Sequence, residues 1–163
     1  MHIEVDDISR PQVVALIEEH LASARELSPP GMTFALDASE LKAPGVTFWT
    51  IWEGDVLLGC GALKELSATQ GELKSMRTPA ALRRQGAGRA MLSHIIATAR
   101  ARGYEALHLE TGANPAFVPA QRLYESFGFK YSGPFADYAE NGNSVFMSRS
   151  LHEPSTAPSP SAA

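Results

Sequence analysis

Apolar residues recur at three- and four-residue spacing in some stretches and gather in short β-branched or aromatic runs in others. The two periods divide the chain into helices and strands. Val13, Leu16, Ile17, Leu21 and Ala24 form one helical stripe, with Glu18, Glu19 and Arg25 off it. Pro11 stands in its first turn, Ser9 or Asp7 can cap it, and the run Ser28, Pro29, Pro30, Gly31 stops it. Met91, Leu92, Ile95, Ile96 and Ala99 form a second stripe that ends near Arg102, with Gly103 as its stop. Residues 120–127 are expected to form a third helix closed by Gly128, and 39–42 a short helical piece ahead of Pro44 and Gly45.

Strands are expected over 46–52 and 56–63, joined by the turn Glu53, Gly54, Asp55, and over 72–78 after the loop at Thr69, Gln70 and Gly71. These three make a meander. Shorter runs predict strands over 2–6, 106–109 and 145–151. Strands, then a strand–helix–strand crossover, then helix and strand is an α+β (mixed α/β) order. The long helix joins two neighbouring parallel strands by a right-handed crossover. At 163 residues and 44% hydrophobic, the chain suits one domain, placed over 1–151. Residues 152–163 turn to Pro, Ser, Ala and Thr, too poor in apolar side chains to fold, and are expected to be a disordered tail.

Charge and cysteine usage exclude several classes. Fourteen basic against 18 acidic residues argue against a nucleic-acid partner. One cysteine, Cys60, makes neither an internal disulfide nor a multi-thiolate metal site, and fits a reducing cytoplasm. Cys60 lies in a strand pattern and is expected to behave as a small buried hydrophobe. His2, His20, His94 and His152 show no ligand spacing, so no metal is expected. The N-terminus lacks the basic start and apolar run of a secretory signal, and no stretch of 18 apolar residues provides a membrane span.

Between Lys74 and Arg102 fall seven of the 14 basic residues, namely Lys74, Arg77, Arg83, Arg84, Arg89, Arg100 and Arg102, and none of the acidic ones. Such polarity in an acidic chain points to a focused anion site, although Arg100 and Arg102 equally complement the end of the helix. The run Arg83, Arg84, Gln85, Gly86, Ala87, Gly88, Arg89 opens the long helix just after a strand. The first N–H groups of a helix lack internal partners and point outward, where the dipole favours an anion. Gly86 and Gly88 would let a phosphate approach the main chain, or would serve close helix–sheet packing. The run lacks the Gly-Lys-Ser/Thr ending of a nucleotide triphosphate loop. It also has Met91 where a dinucleotide fingerprint needs its third glycine.

Three segments in order, 72–79, 83–92 and 123–129, resemble the acetyl-CoA core of the GNAT N-acetyltransferase superfamily, over roughly 46–151. The resemblance implies a twisted mixed sheet of six to seven strands flanked by about four helices. It implies acetyl-CoA as cosubstrate, no metal, and acetyl transfer to an amine by direct attack. By the same resemblance Arg83, Arg84, Gln85, Gly86, Ala87, Gly88 and Arg89 would hold the pyrophosphate. Met76, Arg77 and Thr78 would run beside the pantetheine arm, with one N–H polarising the thioester carbonyl. Tyr124 would return a proton to the leaving thiolate, or is a core aromatic of its helix. Relatives that dimerise make a homodimer an expectation here too.

An attacking amine must be neutral, so a base is needed. Glu110 and Glu72 are the candidates by family position, with a salt bridge to Lys74 or Arg122 as the alternative role for either. Strand alternation puts His108 on the face of Glu110, where the two could relay a proton or His108 could be a satisfied buried imidazole. The family often places an asparagine seven residues before the tyrosine. Here Phe117 stands there, with Asn114 three residues earlier, and Phe117 either lines an acceptor pocket or staples its helix to the core. Trp49 and Trp52 should point to opposite faces, one in the core and one at the acceptor cleft. A non-catalytic acyl-CoA sensor, a transferase of another acyl group, or transfer to a hydroxyl remain open alternatives.

Overall fold

The computed structural model describes residues 1–27, 36–79, 82–83 and 85–152. The stop expected at 28–31, Arg84, and the tail from 153 onward lie outside the described residues. Seven strands form one sheet: β1 (His2–Val5), β2 (Val46–Glu53), β3 (Val56–Glu65), β4 (Gln70–Arg77), β5 (Ala106–Gly112), β6 (Lys130–Ser132) and β7 (Ser144–Ser150). Their order is β1-β2-β3-β4-β5-β7-β6. The helices are α1 (Pro11–Leu27), α2 (Ala38–Leu41), α3 (Ala87–Ala101) and α4 (Val118–Ser126). β4 and β5 are parallel and joined through α3, and the other neighbours are antiparallel, so the expected mixed sheet and crossover are present.

Both faces of the sheet are covered, by different helices. Val13, Leu16 and Ile17 of α1 and Leu41 of α2 pack on Phe48, Trp52, Leu57 and Ala62. Met91, Leu92, Ile95 and Ala99 of α3 pack on Trp49, Ile51, Leu63, Leu73 and Leu109 from the other side. Trp49 and Trp52 do point to opposite faces, but both are core residues at 4% exposure. The placement of one at an acceptor cleft is corrected: Trp52 lies under the Arg10 guanidinium, 4.1 Å away.

Local chemistry explains the ends of the elements. Gly103 (φ +83°) and Gly128 (φ +88°) take the left-handed conformation that closes α3 and α4, and Tyr104 and Phe129 donate back to the carbonyls of Ala99 and Tyr124. Asp37 and Glu40 form a capping box on α2. At α1 the expected cap is displaced: Asp7 bonds the N–H and hydroxyl of Ser9, and the first helical acceptor is the carbonyl of Arg10. Cys60 is buried as expected, its thiol pushed up to about 12 by burial, which leaves no thiolate for catalysis. Among the described residues no helix is long and apolar enough to cross a membrane.

His20 of α1 is held neutral, its pKa lowered to about 4 by burial and by the charge of Arg77. A folded-state value below the ordinary 6.5 gives stability that is complete above pH 6.5 and lost as pH falls toward 4. His20→Gln should therefore flatten the pH dependence of unfolding free energy in that window, measured by urea titration; an unchanged slope would contradict it.

Candidate active site

The sheet opens between its two parallel strands. β4 and β5 pair only from Gln70 opposite Ala106 to Leu73 opposite Leu109, although β4 runs on to Arg77 and β5 to Gly112. A bulge accounts for the divergence: Cys60 faces Arg77 and Ala62 faces Lys74, so β4 spends three steps where β3 spends two. Ser75 takes φ +55° at the bulge. An extra residue bends and twists its strand, which turns the end of β4 away from β5. The opened edge carries Met76 and Arg77, with Thr78 just past the strand end. Gly59 permits this course, because a Cβ there would lie 2.8 Å from the carbonyl oxygen of Arg77.

The entry to α3 stands after this opened strand. Gly86 is its N-cap at φ +86°, with no side chain capping the first N–H groups, and Ala87, Gly88 and Arg89 begin the helix. A Cβ on Gly86 would meet only Met1 Cε, at 3.9 Å, so its requirement is conformational. A Cβ on Gly88 would sit 3.5 Å from Leu123 Cδ2, so this glycine lies against α4 while its N–H remains at the helix entry.

The basic side chains of the 74–102 run disperse rather than form one cluster. Arg77 bonds Glu19 of α1 at 2.8 Å, Arg89 bonds Ser126 Oγ at 3.2 Å, and Arg102 bonds Thr47 Oγ1 at 2.9 Å. Arg83 Nε reaches the carbonyl of Thr78 at 3.4 Å, and Gln85 is exposed. Anion attraction at the helix entry thus falls to main-chain N–H groups and the dipole more than to these guanidinium groups.

The two candidate carboxylates share one face of the sheet, Glu72 within the paired stretch and Glu110 just past it. Glu72, 2% exposed, stands opposite His108 in the register. Its Oε2 accepts from Tyr138 Oη at 2.7 Å and from Lys74 Nζ at 3.2 Å, and Lys74 Nζ also donates to Tyr138 Oη at 2.8 Å. The ion pair expected between a glutamate and Lys74 is therefore that of Glu72. Glu110 is held above its ordinary value by burial, with Ser144 and Lys74 opposing and Glu72 adding to the rise. Tyr124 of α4 is 7% exposed and raised by burial and by the charge of Glu110, so it stays protonated at neutral pH. It is a core aromatic, packed edge-on to Phe129, and it also lies in the field of Glu110. The suggested His108–Glu110 relay is not formed: His108 Nδ1 bonds Ser148 Oγ at 2.7 Å and Nε2 bonds Gln70 Oε1 at 2.5 Å.

Two loops complete the region. The ring of Phe117 lies over Gly112, where an added Cβ would be 2.2 Å from Cε2. Gln121 Nε2 bonds the carbonyl of Gly112 at 3.0 Å, and Asn114 caps the 3-10 turn at Pro115–Phe117. The segment between β6 and β7 brings Phe135 onto His108, stacked at 5.0 Å, and Tyr138 edge-on to Phe135. Sequence reasoning missed both aromatics. Their signal was two rings three apart in an otherwise polar, glycine-bounded loop.

The model of the Acetyltransferase (GNAT) family matches residues 13–129. The uncharacterized N-acetyltransferase YsnE of Bacillus subtilis is 55% identical over 93% of this chain and 100% of its own length. An IAA acetyltransferase of Azospirillum brasilense is 36% identical over 85% of this chain and 90% of its own. A GNAT family acetyltransferase from Elizabethkingia anophelis, solved with acetyl-CoA bound, superposes at a TM-score of 0.67. It is 17% identical and covers 91% of this chain and 97% of that one. With the mixed sheet split at β4 and β5, the uncapped glycine entry to α3 and this family match, the chain belongs to the GNAT acetyltransferase family.

Proposed function

We propose that this N-acetyltransferase takes acetyl-CoA into the opening between β4 and β5 and passes its acetyl group to an amine by direct attack, with Glu110 as base and Tyr124 as acid. The observation that carries this is the pairing of a carboxylate raised by burial with a protonated tyrosine within its field, at the place where the sheet parts. The N–H groups of Gly86, Ala87, Gly88 and Arg89 would receive the diphosphate, with Arg83, Arg84 and Gln85 beside them. The opened edge at Met76 and Arg77, continuing to Thr78, would pair with the pantetheine amides and polarise the thioester carbonyl. The new N–C bond forms as the C–S bond breaks. Glu110 takes the amine proton, and Tyr124 supplies one to the departing sulfur.

Glu110 is preferred to Glu72 on its surroundings. Glu72 Oε2 already accepts from Lys74 and Tyr138, whereas Glu110 has no ion pair among the described residues. A base raised by burial is better matched to an ammonium. Free-thiol release should be followed with acetyl-CoA and a panel of amines, and with IAA, the compound that names the Azospirillum relative.

The pH dependence has a definite sign. Glu110 accepts protons only when ionised, so kcat/KM should fall as pH drops through a value above the ordinary carboxylate range. Glu110→Gln should remove that acid limb, and Glu72→Gln should keep it; identical profiles in parent and Glu110→Gln would take the base role from Glu110. Because the folded state raises this pKa, the ionised carboxylate costs stability as pH rises through it. Glu110→Gln should accordingly raise Tm more at pH 8 than at pH 4.

A further inference from the structure

A cleft of about 1080 Å³ lies on the α1 side of the sheet, between the strand floor at Gln70, Glu72 and His108 and the 135–141 segment above it. It is large enough for an acceptor of drug size. The acidic residues Glu72, Asp137 and Glu140 line it with Lys64, while the Glu65 carboxylate accepts from Tyr104 Oη on the other side of the sheet. Phe135 and Tyr138 give it an aromatic wall, braced from behind by Phe146, whose ring centroid is 6.0 Å from Phe135 and 5.6 Å from Tyr138.

The floor holds a buried carboxylate. The Glu72 side chain is 3% exposed, and both its bonds, from Lys74 and Tyr138, end on Oε2. An ammonium or amine N–H entering the cleft would be drawn to this carboxylate and to those of Asp137 and Glu140. Rings beside such a point attract a cation over their faces and a flat apolar body against them. Asp137 and Glu140 would repel an acceptor that carried a carboxylate of its own.

We propose that this cleft is the acceptor site, and that its acceptor is a primary amine bearing an aromatic body and no carboxylate, with its ring against Phe135 and Tyr138 and its nitrogen directed past Glu72 toward Glu110 at the opening. The assignment depends on the chain being an acetyl-CoA-dependent transferase, and it goes further by naming the acceptor's chemistry.

The test compares 2-phenylethylamine, phenylalaninamide, phenylalanine and butylamine at low ionic strength, reading kcat/KM by thiol release, with acetyl-CoA affinity titrated separately. 2-Phenylethylamine and phenylalaninamide are expected to exceed phenylalanine by about tenfold or more, as like-charge juxtaposition requires. In the Asp137→Asn, Glu140→Gln double variant that ratio should shrink toward one. Phe135→Ala should lower the preference for 2-phenylethylamine over butylamine. Phenylalanine or another carboxylate-bearing acceptor turned over as well as 2-phenylethylamine would overturn the acceptor class. So would acetyl-CoA binding with no transfer to either aromatic amine, and both results leave the donor site standing. Absence of acetyl-CoA binding would instead remove the proposed reaction itself.

Discussion

Tyr124→Phe is expected to lower the single-turnover rate of acetyl transfer by about 100-fold or more, within the range that a positioned proton donor contributes, while acetyl-CoA affinity changes less than about twofold. The hydroxyl is buried on α4, kept protonated by burial and by the charge of Glu110, and it is the one atom the substitution removes. Core packing against Phe129 survives in phenylalanine, so the fold should persist. Single-turnover conditions matter because product release can hide the chemical step. A rate equal to that of the parent would reduce Tyr124 to a packing residue.

Gly86→Val should weaken acetyl-CoA binding by about tenfold or more, measured by calorimetry. The position is held at φ +86°, where a side chain costs about 1–2 kcal/mol and a β-branched one more. The helix entry must then turn its N–H groups from their present directions. Space is not the cause, since only Met1 Cε lies within 4 Å of a Cβ there. Gly88→Ala provides the contrast. Its methyl meets Leu123 at ordinary contact distance, and replacing a helical glycine gains about 1 kcal/mol in propensity. Thermal stability should rise and affinity hold, while equal losses at both positions would mean that close approach to the main chain matters at each.

The elements with strong periodic stripes are legible in the amino-acid order alone. α1 and α3, the β2–β3–β4 meander and the glycine stops at 103 and 128 rest on local pattern and backbone conformation. β6 is not legible in that way: Lys130, Tyr131 and Ser132 are all exposed and show no alternation, and they become a strand only because β7 offers its edge. The site divides along the same line. The glycine-rich entry and the glutamates can be named from motif and position, whereas partner choice cannot. Arg89 turning to Ser126, Arg77 to Glu19, and His108 to Gln70 and Ser148 are decided by which strands and helices meet.

The sequence by itself determined the α+β order of the chain, the crossover helix with a glycine-rich entry, and the face shared by His108 and Glu110, because each follows from spacing along one segment. Only the tertiary structure decided that β4 and β5 part after four paired residues, that Lys74 and Tyr138 hold Glu72 while Glu110 is left without an ion pair among the described residues, and that Phe135 and Tyr138 wall a cleft beside them. Those outcomes join residues up to 66 positions apart, and burial and charge at such distances are properties of the assembled sheet.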